Sequence, residues 1–310
     1  MNLKRLSQFA SPIFGLLLFG LSLWAINLEL KQYNYRDVLH SLEEIPKNHL
    51  LLALVLTFLN YLMLTAYDTL GMRYVRHPLP YQKIALTAVI TYAISNTIGF
   101  ALLTGSAIRY RLYSTWGLSA LKITNIVAFC HLSFWLGLFT VSGVMFLVEP
   151  MAVPSLLHLP FASVQPIGAI FLLLVVGYLI WNTLSRNALR IGKLVFPHLS
   201  PKFALAQILV ASLDWTLAAS VLYFLLPSSS LSFPGFFGIY LLAQIAALIS
   251  NVPGGLGVFE TIILLLLSPP ISSPTLLGAL LAYRGIYYFL PLIIAVLLLG
   301  IYELRHRLVA

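Results

Sequence analysis

Two long apolar stretches of this chain are broken by the same kind of phrase. Ile94-Ser95-Asn96-Thr97-Ile98-Gly99 interrupts the stretch 84–112, and Ile249-Ser250-Asn251-Val252-Pro253-Gly254 interrupts 236–267, 155 positions further on. About 20 apolar residues in a helix span the hydrocarbon core of a bilayer, and glycine and proline inside such a helix end it or kink it. Unwound backbone at membrane depth is tolerated only where protein or a wet cavity satisfies its polar groups. Paired breaks at corresponding places in two halves of a membrane protein point to a transport site.

The membrane setting follows from composition. Hydrophobic residues make up 60% of the 310 positions and charged residues 9%, with a mean hydropathy of +0.94. Soluble domains carry about a quarter charged residues. The net charge of +9 does not mark a nucleic-acid binder, because the basic residues sit in short loops between apolar stretches, where they set topology. Cys130 is the one cysteine and lies in an apolar run, so no disulfide framework or thiolate metal site is expected and a packing role is. The N-terminal run from Ile13 to Ile26 follows Lys4 and Arg5 without a small-residue cleavage pattern and reads as a retained first helix.

Unbroken apolar stretches lie near 12–28, 50–70, 124–148, 166–184, 203–226 and 276–301. Fourteen of the eighteen basic residues fall at Lys4/Arg5, Arg73/Arg76/Lys83, Arg109/Arg111/Lys122, Arg186/Arg190/Lys193/Lys202 and Arg305/Arg307, while loops 149–165, 227–235 and 268–275 hold none. Cytoplasmic loops are the basic ones. Both flanks of 84–112 are basic and both flanks of 236–267 are not, so each broken stretch is expected to enter and leave on one side as a re-entrant hairpin. The expected fold is an all-α polytopic membrane protein. Its single membrane domain, 1–310, holds two inverted-topology repeats, 12–148 and 166–301, each of three transmembrane helices plus a re-entrant hairpin, with both termini cytoplasmic. Asp68-Thr69-Leu70 before the first hairpin echoes Asp214-Trp215-Thr216-Leu217 before the second.

Ionisable residues inside membrane spans are costly and are functional candidates. Here they are Asp68, His131, Asp214, Glu260 and Arg284. Arg284 stays protonated and needs a buried acid or an anionic ligand. One reading pairs it with Asp214 or Glu260 as a structural ion pair; the other sets it on a phosphate while the acids meet a cation. Asp68 either caps its span or acts in the site, and His131 is either a satisfied core residue or a proton relay. Three glycines and a proline between Asn251 and Gly257, with Gly254 and Gly255 at the centre, forbid a continuous helix. The helix that restarts there presents N–H groups and a positive dipole end suited to a phosphate. Glu260 in its first turn either complements that end or awaits a cationic headgroup. At the first break Asn96, Thr104, Gly105 and Ser106 offer polar lining, and Arg109 and Arg111, expected at the cytoplasmic mouth, either gather anionic lipid or mark topology. No metal-ligand spacing, nucleophile elbow, phosphate-binding glycine loop or ATP motif is visible, so no cofactor is expected.

The decapeptide Asn251-Val252-Pro253-Gly254-Gly255-Leu256-Gly257-Val258-Phe259-Glu260 resembles the membrane region of the lysylphosphatidylglycerol synthase/flippase family, the MprF type. So do Ser95 to Phe100, Arg109 to Tyr113, Trp116 to Ser119, and Tyr283 to Tyr288 with Pro291. The resemblance implies a flippase of the bacterial cytoplasmic membrane that moves aminoacylated, lysyl-bearing phosphatidylglycerol to the outer leaflet and so protects against cationic peptides. It carries over an intramembrane acid and arginine as functional, matched to Asp68 and Arg284. Bifunctional members add an aminoacyl-transferase domain, which this chain to Ala310 does not include; a stand-alone relative or the membrane part of a longer protein is expected, and a transporter rather than an enzyme. The substrate-binding set is Asp68, Asn96, Arg109, Asp214, Asn251, Gly254, Gly255, Glu260 and Arg284. The partner is a membrane phospholipid, anionic or aminoacylated, and not nucleic acid; a homodimer and a separate aminoacyl-lipid synthase remain open as further partners. The alternatives are an intramembrane lipid-modifying transferase with Asp214 or Glu260 as base, and a scaffold for a separate synthase.

Overall fold

A computed structural model of the protein describes residues 35–99, 101–150, 163–184, 189–191, 194–196, 199–227, 231–250, 252–268 and 271–309. The expected first span, 12–28, and Asn251 lie outside the described residues. The rest is helical: α1 Tyr35–Glu43, α2 Lys47–Tyr74, α3 Tyr81–Ile98, α4 Ala101–Thr115, α5 Ala120–Val148, α6 Gln165–Leu184, α7 Pro201–Leu225, α8 Phe233–Ser250, α9 Val258–Leu267, α10 Ser273–Tyr283 and α11 Leu290–Val309. One departure from an all-helical chain stands between α6 and α7, where β1 (Leu189–Ile191) pairs antiparallel with β2 (Leu194–Phe196), Leu189 opposite Phe196.

Local chemistry sets where the helices start and stop. Ser119, Ser200 and Ser272 cap α5, α7 and α10, each side chain accepting the N–H three residues on, which satisfies one of the donors a helix start leaves open. Pro46 and Pro80 stand just before α2 and α3. Both expected breaks are present. α3 ends where Gly99 takes a φ of 80°, and α8 ends before a single tight turn, Pro253–Gly255, with Gly254, Gly255 and Gly257 at φ of 60°, 64° and 78°. Those angles are open to glycine and disfavoured for other residues. A further irregularity joins α10 to α11, where Arg284–Phe289 winds as a π-helix, a form frequent at functional sites.

Six helices among the described residues are long and apolar enough to cross a membrane: α2, α5, α6, α7, α8 and the continuous stretch Ser273–Arg305. Five coincide with expected spans; α8 was expected as one arm of a hairpin. Its 18 residues rise about 27 Å at 1.5 Å each, enough to cross by itself, whereas α9 has only 10 residues. Large apolar side chains cover the outside, Phe58 being 69% exposed and Leu173 70%. In water so much exposed apolar surface would drive aggregation; against lipid tails it is the favourable face. This is a multi-pass membrane protein.

At the centre α2 packs along α7. Around that pair the contacts come in matched sets: α3 lies on α2 and α11, and α8 lies on α7 and α5; α4 lies on α5, and α9 on α10. Small residues allow the closest approach. A Cβ placed on Gly137 of α5 would sit 2.4 Å from the Ala211 Cβ of α7, so the backbones meet where glycine leaves room. Gly137→Ala should therefore lower the thermal midpoint of the detergent-solubilised protein, by an overpacking cost of about 1–3 kcal/mol. Gly300→Ala, where an added Cβ meets nothing within 4 Å, should leave the midpoint unchanged or raise it.

Candidate functional site

The two breaks meet across the centre of the bundle. A Cβ on Gly254 would lie 2.9 Å from the Thr97 carbonyl oxygen, so the second break rests directly on the backbone of the first. Beside them opens a cavity of about 430 Å³. Its wall takes Asn96 and Gly99 from the first break and Gly254 and Gly255 from the second. Arg109, Asp214 and His131 supply ionisable groups, and Tyr67, Tyr92, Tyr240, Tyr287 and Tyr288 an aromatic lining with hydroxyl tips.

Two buried ion pairs flank the cavity, and the first reaches its wall through Arg109, which is buried where the sequence places it at a cytoplasmic mouth. Arg109 of α4 grips Asp68 of α2 with both arms of its fork, Nε to Oδ1 at 2.9 Å and Nη2 to Oδ2 at 2.7 Å. The Tyr113 hydroxyl also donates to Oδ1, at 2.8 Å. The Arg109 guanidinium lies over the Tyr92 ring, 4.9 Å from its centre, adding a cation–π contact. Arg284 of the π-helix donates from Nε and Nη2 to Glu260 Oε1 of α9, at 2.8 and 2.6 Å. Its Nη1 donates to the Gly254 carbonyl at 2.9 Å, and its guanidinium lies 4.7 Å from the centre of the Tyr288 ring. Glu260 Oε2 accepts the Gly257 N–H at 2.9 Å. Of the two readings open for Arg284, the geometry displays the ion pair with Glu260. The same carboxylate occupies the first N–H of the restarted helix.

Asp214 of α7 is held differently. Asn60 Nδ2 donates to its Oδ1 at 2.8 Å and the Tyr67 hydroxyl to its Oδ2 at 2.8 Å, while the Tyr287 hydroxyl donates to Asn60 Oδ1 at 2.9 Å. These neutral donors come from α2 and the π-helix, so the network pins the central helix pair to the last long helix. His131, on the cavity wall, accepts at Nε2 from Trp135 Nε1 at 3.3 Å. Arg111 sits apart, forked onto Glu303 of α11 at 3.0 and 2.7 Å.

Of the nine expected site residues, the cavity wall takes Asn96, Arg109, Asp214, Gly254 and Gly255. Asp68, Glu260 and Arg284 stand one layer back in the ion pairs, and Asn251 lies outside the described residues. Sequence reasoning missed Asn60, Tyr67 and Tyr92. Asn60 carried a usable signal, an amide in the middle of an apolar span, where interhelical hydrogen bonds are expected. The tyrosines carried none, since their hydroxyls are invisible in a pattern of apolar residues. Among the described residues no group of three or more His, Cys, Asp or Glu side chains gathers as a metal site.

Comparison with known proteins places this architecture. Residues 12–295 match the family model described as the lysylphosphatidylglycerol synthase TM region. An uncharacterized protein of Synechocystis is 51% identical over 98% of this chain and 95% of its own length. The inner membrane protein YbhN of Escherichia coli is 30% identical over 94% of this chain and 91% of its own length. The phosphatidylglycerol lysyltransferase of Staphylococcus haemolyticus is 26% identical over 95% of this chain, a match that takes in 34% of that enzyme. With a family model covering nearly its whole length, the chain belongs to the lysylphosphatidylglycerol synthase TM region family.

Proposed function

We propose that the protein is a phospholipid translocase that moves a lipid headgroup through the central cavity while the acyl chains stay in the bilayer. The observation that carries this reading is the cavity itself. It is wide enough for a headgroup, lies where two helices unwind, and joins polar wall groups to an aromatic lining inside an apolar bundle. Unwound backbone around a midplane site is how many transporters bind polar substrates. The favoured substrate is phosphatidylglycerol bearing an aminoacyl group, in keeping with the lysyltransferase whose membrane third this chain resembles. Delivery to the outer leaflet of a bacterial cytoplasmic membrane would lower its negative charge and weaken the attraction of cationic peptides.

The free donors suggest how the headgroup sits. Arg109 spends Nε and Nη2 on Asp68, while Nη1 has no hydrogen bond among the described residues and Arg109 borders the cavity. Arg284 spends all three of its nitrogens within the protein. Arg109 is therefore the group for the lipid phosphate, and Asp214 the group for an amine. Arg284 and Glu260 hold the second break in shape. The matched contacts of the two halves and the common form of their breaks support two inverted repeats with re-entrant hairpins, 84–112 and 236–267, and the basic loops support cytoplasmic termini.

Three outcomes are expected. In proteoliposomes, Arg109→Lys and Asp214→Asn should each slow translocation of lysylphosphatidylglycerol about tenfold or more, the loss of a charge-assisted hydrogen bond of roughly 1.5–3 kcal/mol. Leaflet accessibility of the lipid reads the rate, and unchanged rates in both variants would refute the site. Breaking the rear pair with Arg284→Ala should instead destabilise the fold by about 3–5 kcal/mol, because it strands a buried carboxylate; the thermal midpoint reports it. In a Cys130→Ala background, cysteines at Lys83 and Ser119 should react with an impermeant reagent from the cytoplasmic side, and cysteines at Ser232 and Ser272 from the other. Opposite-side labelling within either pair would rule out that hairpin.

A further inference from the structure

Three acids are buried among the described residues: Asp68, Asp214 and Glu260. Two of them meet an arginine fork. Asp214, only 6% exposed and on the cavity wall, meets neutral donors alone. The titratable side chains around it are mostly phenols, Tyr61 and Tyr67 of α2, Tyr92 of α3, Tyr240 of α8 and Tyr287 of the π-helix, with Cys130 and His131 of α5 and Tyr288 of the π-helix on the same cavity wall. Arg109 borders the same cavity, but its charge is matched by Asp68. An ionised carboxylate in such a place costs several kcal/mol unless a cation answers it.

The hydrogen bonds define where a proton fits. Tyr287 donates to Asn60 Oδ1, which turns Asn60 Nδ2 toward Asp214, and that nitrogen donates to both Oδ1 and the Asp214 carbonyl oxygen, each at 2.8 Å. An amide nitrogen only donates, so Oδ1 is always an acceptor. Oδ2 faces the Tyr67 hydroxyl, which can donate or accept. A proton on Oδ2 therefore needs only the Tyr67 hydroxyl to rotate from donor to acceptor, with no heavy atom displaced. Two states are consistent with this shell: protonated with the cavity free of cations, or ionised with a cation against the carboxylate.

We propose that Asp214 is a proton-exchange site, at which the ammonium of an incoming lipid headgroup displaces the proton from Oδ2 into the cavity and the emptied site takes a proton back. The inference rests on the translocase reading for its consequence, which is that lipid leaving toward one leaflet is driven by protons entering from that side. It rests on Asp214 and its shell alone for its chemistry.

The exchange is read directly by infrared difference spectroscopy on the full chain in phosphatidylglycerol nanodiscs at constant pH. A carboxylic-acid band is expected that disappears on adding lysylphosphatidylglycerol and is missing in Asp214→Asn. Tyr67→Phe, which keeps the carboxyl and removes its hydroxyl partner, should shift the band and so identifies it should the asparagine variant fail to fold. A band that is absent, or that ignores the amine-bearing lipid, overturns the exchange. In proteoliposomes, outward movement should run several-fold faster with the acid side outside than with the gradient reversed. It should not respond to a sodium gradient at equal pH. Translocation indifferent to the sign of the proton gradient, or driven by sodium instead, overturns the coupling. No translocation under any gradient would remove the translocase reading while leaving the spectroscopic result to judge the exchange.

Discussion

The unwound turn of the second break survives inside the bundle because an ion pair serves its backbone. Glu260 and Arg284 bind each other, yet each also reaches a peptide group that the break has stripped of its helical partner. Glu260 Oε2 takes the Gly257 N–H and Arg284 Nη1 serves the Gly254 carbonyl. A peptide group left bare at this depth costs several kcal/mol, and so does an arginine without an acid. Each problem is the other's solution. With that turn fixed, Gly254 can rest against the Thr97 carbonyl, the two breaks meet, and the cavity has a wall.

The two halves use the same device with the charges exchanged. In the first, the helix after the break supplies the arginine and the central helix the acid, Arg109 on Asp68. In the second, the helix after the break supplies the acid and the π-helix the arginine, Glu260 against Arg284. Each guanidinium also lies over a tyrosine ring, Tyr92 or Tyr288. The pairs differ in what they leave over: one spare nitrogen on Arg109, none on Arg284. That difference makes the first pair a candidate for ligand contact and the second a clamp.

Much of this was legible from the chain alone because its signals are local. A run of about 20 apolar residues reads as a membrane helix, a Pro-Gly-Gly turn breaks one, and a charged residue among Leu and Ile must be satisfied somewhere. Hence five of the six membrane-length helices among the described residues, both breaks, and the buried charges Asp68, Asp214, Glu260 and Arg284 were readable from the sequence, whereas Arg109, grouped there with the basic loops, is buried. Partner choice was not. Asp214, Glu260 and Asp68 look alike in sequence, and only the packing of α2 against α7 gives Asp214 an asparagine and a tyrosine where the others receive arginines.

The sequence by itself determined that the chain lies in a bilayer, where its helices unwind and that Asp68, Asp214, Glu260 and Arg284 must be buried, since each follows from the cost of placing one residue type in hydrocarbon. Only the tertiary structure decided which charge is cancelled and which is left facing the cavity. That outcome depends on side chains brought together from 41 positions apart at Arg109 and Asp68, 24 at Arg284 and Glu260, and 154 at Asn60 and Asp214. Hydrogen bonds and forked ion pairs need their heavy atoms within about 3 Å, a range that chain spacing does not record.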